Sequence, residues 1–290
     1  MKSHQHTSEA IMHTIFFCLG MVTVASVLLI TGYLIIKGIP AIKEIGVTNF
    51  FLGTVWAPTQ SPPQFGILPF ILTSVYGTLG AVMVGTPVGL LAAVYLAKLA
   101  PPRIRQIGSQ AVSLLAGIPS VVYGLVGMIV LVPAVRETFH LSDGATLFSA
   151  MVVLGVMILP SIIKVSLTAL EAVPKEYEEG SLALGATPME TYFGVTLPAA
   201  SSGIAAAVVL GMGRAIGEAM AVIMVSGNVA NMPGLFESVR FLTTAVASEM
   251  SYAADGSLHR QALFSIALVL FVFIMGINAL LNHFLKKEKK

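Results

Sequence analysis

The sequence predicts an all-α integral membrane protein with six transmembrane helices, and three observations support this prediction. Of the 290 residues, 56% are hydrophobic and 10% are charged, whereas about 25% of the residues of a soluble globular domain are charged. The chain contains six long apolar stretches, and about 20 apolar residues of helix cross a bilayer core about 30 Å thick. Nearly all charged residues fall between these stretches. A water-soluble fold is therefore excluded, and so is a disordered chain, which needs more polarity or net charge than the formal +2 found here.

The six stretches define the predicted spans in chain order. The first is longer than the hydrophobic region of a signal peptide, about 7–15 residues, and no Ala-x-Ala cleavage site follows it. We therefore predict that it is a span and that the mature chain begins near Met1. The second and third exceed what a straight crossing requires, which predicts tilted or extended helices. The predicted spans are 11–36, 67–97, 107–135, 145–163, 200–226 and 261–285.

The distribution of Lys and Arg predicts the orientation, since these residues favour the cytoplasmic side. An even number of spans places both termini on one side, which carries ten Lys and Arg against five on the other. We therefore expect both termini to be cytoplasmic. The predicted organisation is a cytoplasmic N-terminus at 1–10, a first helix with an extracytoplasmic loop at 11–66, a membrane core at 67–285 and a cytoplasmic basic tail at 286–290.

The extracytoplasmic loop after the first span is rich in aromatic residues and proline. Phe50, Phe51, Trp56 and Phe65 lie beside Pro58, Pro62 and Pro63. Aromatic side chains gather at membrane interfaces. We expect an ordered loop that rests at the interface as an aromatic belt, rather than a ligand site.

The cytoplasmic connection at 171–199 is predicted to form two helices with a sharp turn between them. The first helix ends at Gly185, a residue type that commonly terminates helices. Thr187 then serves as an N-cap with Glu190 three positions later, which is the pattern of a capping box. The second helix is short and is predicted to stop at Pro198.

Arg214 and Glu218 are the only strongly charged residues well inside a predicted span. Each costs about 2.5–3.5 kcal/mol at a helix centre, so both should face protein or water rather than lipid. Their spacing of four predicts one helix face and an ion pair. Two interpretations stay open: a structural pair that holds helices together, or an anion path lined by Arg214, with Glu218 holding the arginine in place. In the third span, Pro119 is predicted to bend the helix, either beside such a path or for plain packing.

The sequence contains no pattern for catalysis, metal binding or nucleotide binding on this chain. It has no Gly-x-x-x-x-Gly-Lys-Ser/Thr loop, no Ser/His/Asp constellation and no His-Glu-x-x-His. A single cysteine, Cys18, excludes an intrachain disulfide and a thiolate zinc site. There is no basic patch for nucleic acid. We expect a transporter whose ATPase, if it has one, is another polypeptide; a secondary transporter and a membrane enzyme are the alternatives.

The cytoplasmic connection resembles the EAA loop of ABC-importer permeases. Glu179-Gly-Ser, three residues, Gly185, nine residues and Val195-x-Leu-Pro198 match that loop in spacing, with Gly180 and Ser181 replacing its two alanines. The resemblance implies the type I importer fold, also called MetI-like, with a cytoplasmic coupling helix that inserts into an ATPase subunit. The residues that it assigns to ATPase coupling are Glu179, Gly185, Ala186, Thr187, Met189 and Glu190.

Further segments resemble the phosphate-transport permeases of the PstC type, namely Trp56-Ala-Pro58, 65–70, 115–124 and 213–222. This resemblance implies an inner-membrane permease for inorganic phosphate that works by alternating access; a permease for another oxyanion is the alternative. The implied partners are two ATPase subunits, a second homologous permease, an extracytoplasmic phosphate-binding protein and the lipid bilayer. No cofactor is expected on this chain, since ATP would be used by the partner.

Overall fold

A computed structural model describes the backbone of residues 2–287 and the side chains of residues 12–279. The regular structure of this part of the chain is helical apart from one small hairpin, and an irregular segment joins Val225 to Leu242. Five helices are long and apolar enough to cross a membrane, and a sixth crossing results if a bent pair at 188–216 is counted as one. The side chains of the predicted N-terminus at 1–10 and basic tail at 286–290 lie outside the described residues.

The helices and strands follow one another in a simple order, with three short π-helical turns, at Tyr95–Leu99, Gly127–Leu131 and Tyr192–Thr196. The elements are α1 (Lys2–Ile45), α2 (Val47–Leu52), β1 (Trp56–Ala57), β2 (Gln64–Phe65), α3 (Leu68–Val94), α4 (Pro102–Ala116), α5 (Ser120–Val126), α6 (Val132–Thr138), α7 (Leu147–Glu171), α8 (Lys175–Ala183), α9 (Pro188–Thr191), α10 (Leu197–Ala199), α11 (Ser201–Ile216), α12 (Met220–Val225), α13 (Leu242–Glu249) and α14 (Leu258–Lys287).

Four of the predicted spans are confirmed as single long helices: α1, α3, α7 and α14. Helices α1 and α14 extend beyond the predicted limits at both ends and α7 at its C-terminal end, because a helix continues past the apolar stretch until a capping or turn residue stops it; α3 lies within its predicted limits. At the start of α7, for example, the Thr146 side chain accepts a hydrogen bond from the Ser149 N–H, which satisfies one free donor of the first turn.

The predicted third span, 107–135, is wrong as one continuous helix. The chain breaks at Gly117–Pro119, and only Ser120–Thr138 qualifies as a crossing. Pro119 has an extended ψ of 142°, and it lacks the N–H that would continue the ladder of α4. The separate helix α4 contacts α7 but leaves most of its surface exposed. The predicted bend at Pro119 is therefore confirmed.

The central packing of the molecule is formed by α3 against α7, with α11 crossing both. Fully buried side chains of α7 include Leu154, Met157, Ile158 and Ile162. Small residues bring the backbones together, as at Gly85, where an added Cβ would lie 2.9 Å from the carbonyl oxygen of Gly155. Close approach of this kind gains dispersion contacts, which drive helix association in lipid.

The loop between α1 and α3 is ordered as predicted, but its expected role as an interfacial aromatic belt is wrong. Phe50, Trp56 and Phe65 are 0%, 8% and 5% exposed. They form a second core with α13 and α14, in which the rings of Trp56 and Phe65 meet edge to face at 5.5 Å. The belt interpretation failed because the antiparallel pairing of β1 with β2 turns these aromatic side chains toward helices that come about 180 residues later in the chain.

One carboxylate links several residues of this second core, called the outer core below. Glu249, at the end of α13, accepts a hydrogen bond from the indole N–H of Trp56 at 3.0 Å and contacts His259 Nε2 at 2.8 Å. Arg240 forms an ion pair with the same carboxylate. All three partners are largely buried beside Glu249, so the group is compensated rather than isolated.

We predict that Gly66→Ala destabilises this outer core. An added Cβ would lie 2.3 Å from the carbonyl carbon of Gly53, so backbone must shift, at a cost of about 1–3 kcal/mol. Gly276→Ala is the matched control, because this helical glycine has nothing within 4 Å of the added atom. Thermal unfolding of the detergent-purified chain should show a lower midpoint for Gly66→Ala alone. Equal midpoints in the two variants would contradict the close contact.

Candidate functional site

The predicted fifth span is broken near its middle. Helix α11 ends at Ile216 and α12 begins at Met220. Glu218 makes two hydrogen bonds at this break: its carboxylate accepts one from the Ala221 N–H at 3.0 Å, and its backbone carbonyl accepts one from the Thr243 hydroxyl at 2.8 Å. Unsatisfied backbone groups cost several kcal/mol in a bilayer, so these bonds allow the break to exist.

Arg214 lies in the last turn of α11, just before this break. Its Nη1 donates a hydrogen bond to the Ser161 hydroxyl of α7 at 3.2 Å. The side chain is half-buried, and its charge reaches Tyr123 of α5 electrostatically. Arginine carries five N–H donors, and among the described residues Ser161 is its one hydrogen-bond partner. Most of the guanidinium is therefore available to a ligand.

The predicted pairing of Arg214 with Glu218 is wrong. The spacing of four places two side chains on one face only in a continuous helix, and Gly217 ends α11 between them. Within residues 12–279, no ion pair joins these two side chains. The structure thus removes the basis for a structural ion pair, and the assignment of both residues to a transport path stays a prediction.

The helices that follow the breaks in the third and fifth spans, α5 and α12, contact each other. At Gly124 of α5, an added Cβ would lie 2.8 Å from the Cα of Ala221 in α12. The Tyr123 hydroxyl donates to the carbonyl of Leu115 at 2.8 Å, which satisfies the end of α4 before the break. Sequence reasoning identified Pro119 and Arg214 separately. It did not place the two breaks together, because no local pattern reports which half-helices contact each other.

The connection at 171–199 has the two-helix form that the sequence predicts. Gly185 has a φ of +91°, the left-handed conformation that ends α8. Thr187 caps α9 through a complete capping box: its hydroxyl accepts from the Glu190 N–H at 3.3 Å, and its own N–H donates to the Glu190 carboxylate at 2.8 Å. The chain continues to Ala199, one residue past the predicted stop at Pro198, and then bends by 70° into α11.

The capping box also sets the electrostatics of this turn, whose exposed residues Thr187 and Glu190 are separated from α11 by the 70° bend. Hydrogen bonds from the Thr187 backbone N–H and hydroxyl lower the pKa of the fully exposed Glu190 carboxyl below its ordinary value. Because the pKa of Glu190 is lower in the folded chain, these hydrogen bonds stabilise the turn fully at pH values above the ordinary carboxyl pKa. The stabilisation is lost as the pH falls through the lowered pKa.

A second acidic residue holds the connection against the membrane helices. Glu178 forms an ion pair with Lys98, from the π-helical turn that ends α3, and accepts a hydrogen bond from Thr196 at 3.2 Å. The side chain of Glu178 is 18% exposed, whereas the neighbouring Glu179, which the motif singles out, is exposed. Sequence reasoning missed Glu178, because its partner Lys98 lies 80 residues away.

The outer surface of the connection is apolar and exposed. Leu184 is 91% exposed and Met189 is 50% exposed. The residues predicted for ATPase coupling are exposed, except Ala186, which is half-buried. Contiguous exposed apolar side chains on such a surface are typical of a protein interface.

Comparison with solved structures places this fold among ABC importers. The chain is similar to a subunit of the inward-facing MetNI methionine ABC transporter, with a TM-score of 0.60 and 21% identity over 76% of this chain and 95% of that one. The fold is therefore that of a MetI-type permease, and the EAA-like loop occupies the bent connection that precedes α11.

The chain belongs to the family of binding-protein-dependent transport system inner membrane components, whose model matches residues 85–290. It is 37% identical to the probable ABC transporter permease protein YqgH of Bacillus subtilis, over 93% of this chain and 88% of that protein. It is 34% identical to the phosphate transport system permease protein PstC of Haemophilus influenzae, over 89% and 86% of the two chains. The protein is thus a multi-pass inner-membrane permease subunit and not an enzyme, which excludes the alternatives of a secondary transporter and a membrane enzyme.

We predict that Thr187→Ala loosens the first turn of α9. Loss of an N-cap hydroxyl costs about 1 kcal/mol, which corresponds to about fivefold faster hydrogen exchange at the Glu190 amide. Thr187→Ser keeps the hydroxyl and is the control. Exchange measured by mass spectrometry should separate the two variants, and equal rates in both would show that the capping box does not stabilise this turn.

Proposed function

We propose that this permease imports inorganic phosphate by alternating access, in a complex with a second homologous permease, two ATPase subunits and an extracytoplasmic phosphate-binding protein. Family membership implies an ATPase and a binding protein in general terms. Phosphate is supported by PstC relatives at 34% and 32% identity, while the name YqgH specifies no substrate. Another oxyanion is the alternative. This chain binds no cofactor, and ATP is used by the partner ATPase.

The observation that carries this proposal is the placement of Arg214 at the helix break. Its planar guanidinium matches a tetrahedral oxyanion through paired hydrogen bonds. Among residues 12–279, one hydrogen bond holds it, to Ser161, so its remaining donors are free for an ion. Glu218, on the other side of Gly217, adds a negative charge to the same break. A single cation near a carboxylate binds an anion without trapping it, which a translocation path requires.

The proposed orientation has both termini in the cytoplasm. It rests on the excess of Lys and Arg on that side, ten against five. In this orientation the connection at 171–199 faces the ATPase subunits, and the Glu249 cluster faces the binding protein. Glu179, Gly185, Ala186, Thr187, Met189 and Glu190 form the ATPase contact in this proposal.

The coupling route follows the backbone. Closure of the ATPase subunits displaces the segment at 188–199, which continues through the 70° bend into α11 and thus toward Arg214. The ion pair of Glu178 with Lys98 transmits the same displacement to the end of α3. Both routes end on helices of the central packing, so the coupling helix and the break move together.

We predict that Arg214→Gln reduces phosphate uptake roughly 10-fold to 100-fold, the worth of one charge-assisted hydrogen bond of about 1.5–3 kcal/mol. The assembled transporter should form normally, because Arg214 has no ion-pair partner to strand. Uptake of labelled phosphate in proteoliposomes, normalised to assembled complex, is the measurement. Arg136→Gln, an exposed arginine in α6, is the charge-matched control and should leave uptake unchanged.

In the same assay, Glu218→Gln distinguishes the role of Glu218 as a hydrogen-bond acceptor for the Ala221 N–H from the role of its negative charge. Glutamine keeps an oxygen for the Ala221 N–H, so the break should persist, and uptake should fall less than in Arg214→Gln. Near-normal uptake by Arg214→Gln would exclude a role for this arginine in the anion path. Poor assembly of Arg214→Gln would instead identify it as a structural residue.

We predict that Gly185→Val uncouples ATP hydrolysis from uptake. A non-glycine residue at the φ of +91° costs about 1–2 kcal/mol, which lowers the population of the native turn about fivefold to thirtyfold. Gly180→Val is the control, because this glycine lies within α8 with nothing within 4 Å. The phosphate transported per ATP hydrolysed should fall only in Gly185→Val. An unchanged ratio would show that the turn does not contribute to coupling.

A further inference from the structure

A cleft of about 250 Å³ lies between α1 and the start of α14, apart from the helix break that holds Arg214. It is lined by two cations, one carboxylate, two aromatic rings and an amide. The α1 side of the cleft falls outside residues 85–290, the part of the chain that the family model matches. The lining residues are Tyr33, Ile36, Lys37, Pro40, Asp255, Gly256, Arg260, Gln261 and Phe264.

The cleft is framed by a fixed contact between the two helices. An added Cβ at Gly38 would lie 3.1 Å from the carbonyl oxygen of Phe264, and the Ser265 hydroxyl donates to the Gly38 carbonyl at 2.5 Å. Tyr33 and Phe264 meet edge to face at 5.5 Å and form one wall. These contacts hold the two helices, and hence the cleft between them, in a defined geometry.

The charges of the cleft favour an anion. Lys37 is exposed and lies 6.0 Å from the ring centroid of Tyr33. Arg260 donates to the Ala253 carbonyl at 3.2 Å and contacts Asp255 at 3.0 Å. The Asp255 side chain is 91% exposed, and ion pairs this exposed contribute little. Two cations against one solvated carboxylate leave a net positive site, with the Gln261 amide as a further donor.

The sequence positions of the two cations, at the ends of apolar runs, are those expected of residues near lipid headgroups. Lys37 is the first charged residue after the apolar run at 11–36, and Arg260 is the last before the run at 261–285. Below them, α1 and α14 expose apolar side chains, including Ile36, Leu29 and Val272. A ligand in the cleft therefore has a charged site at one end and lipid-facing apolar helices at the other.

We propose that this cleft binds the phosphodiester of an anionic phospholipid, whose acyl chains lie along α1 and α14. Lys37 and Arg260 bind the phosphate oxygens, and Gln261 supports them. Free inorganic phosphate shares the charge but not the acyl chains, and the apolar surface below the cations favours the lipid. The extracytoplasmic leaflet follows from the proposed orientation, whereas lipid binding itself requires only that the chain spans the membrane.

The experiment titrates the delipidated full-length chain in detergent with dioleoylphosphatidylglycerol and counts bound lipid by native mass spectrometry. The wild type should hold one phosphatidylglycerol per chain more tightly than phosphatidylcholine. The double variant Lys37→Gln with Arg260→Gln should bind it about thirtyfold more weakly, since each cation contributes about 1 kcal/mol near a membrane surface and both are removed. The control, Lys43→Gln with Arg136→Gln, removes the same charge from exposed residues outside the cleft and should bind as the wild type does.

A charge-preserving double variant and a competition with inorganic phosphate provide two further tests. Lys37→Arg with Arg260→Lys keeps both charges and should retain the lipid, so a loss there as large as in the glutamine variant would point to misfolding and overturn the assignment. Equal binding by the glutamine variant and the control would also overturn it. If labelled inorganic phosphate displaces the lipid and depends on Lys37 and Arg260, the cleft is a site for free phosphate, and the lipid assignment is wrong.

Discussion

The structure depends on one constraint: backbone hydrogen-bonding groups within a bilayer need partners inside the protein. Two stretches that the sequence predicts as single crossings are nevertheless interrupted, at 117–119 and at 217–219. Each interruption is supplied with partners, by the Tyr123 hydroxyl in one case and by Glu218 with Thr243 in the other. Because these side chains satisfy the free backbone groups, Arg214 can lie beside irregular backbone instead of being enclosed by a regular helix.

The connection at 171–199 contains a capped turn and a first helix, α8, that is bound to the end of α3. The turn is held by local bonds between Thr187 and Glu190, whereas α8 is held by the distant pair of Glu178 and Lys98. The exposed apolar residues, such as Leu184, lie between these two attachments. Because the connection is held at both attachments, a partner that displaces this surface moves the whole connection instead of deforming it.

Features that depend on neighbouring residues are predicted well from the sequence. Contacts between residues far apart in the chain are predicted poorly. Four of the spans, the capping box at Thr187, the left-handed glycine at 185 and the bend at Pro119 follow from composition, spacing or the chemistry of one residue type. The pairing of Arg214 with Glu218 failed because one glycine ended the helix on which the prediction relied. The burial of Trp56 could not be predicted, since its partner Glu249 lies 193 residues away.

The contact of α1 with α14 joins the two ends of the chain. The Ser265 hydroxyl reaches the Gly38 carbonyl across 227 residues, and the central part of α1 has no other cover, with none of its most apolar window buried. A chain is synthesised from its N-terminus. Helix α1 is thus made long before the neighbour that it packs against, and it must persist as a lone helix in lipid until α14 has been synthesised. The middle of α1 is apolar and uncharged. A lone helix of this kind is stable in hydrocarbon, since all its backbone hydrogen bonds are made internally.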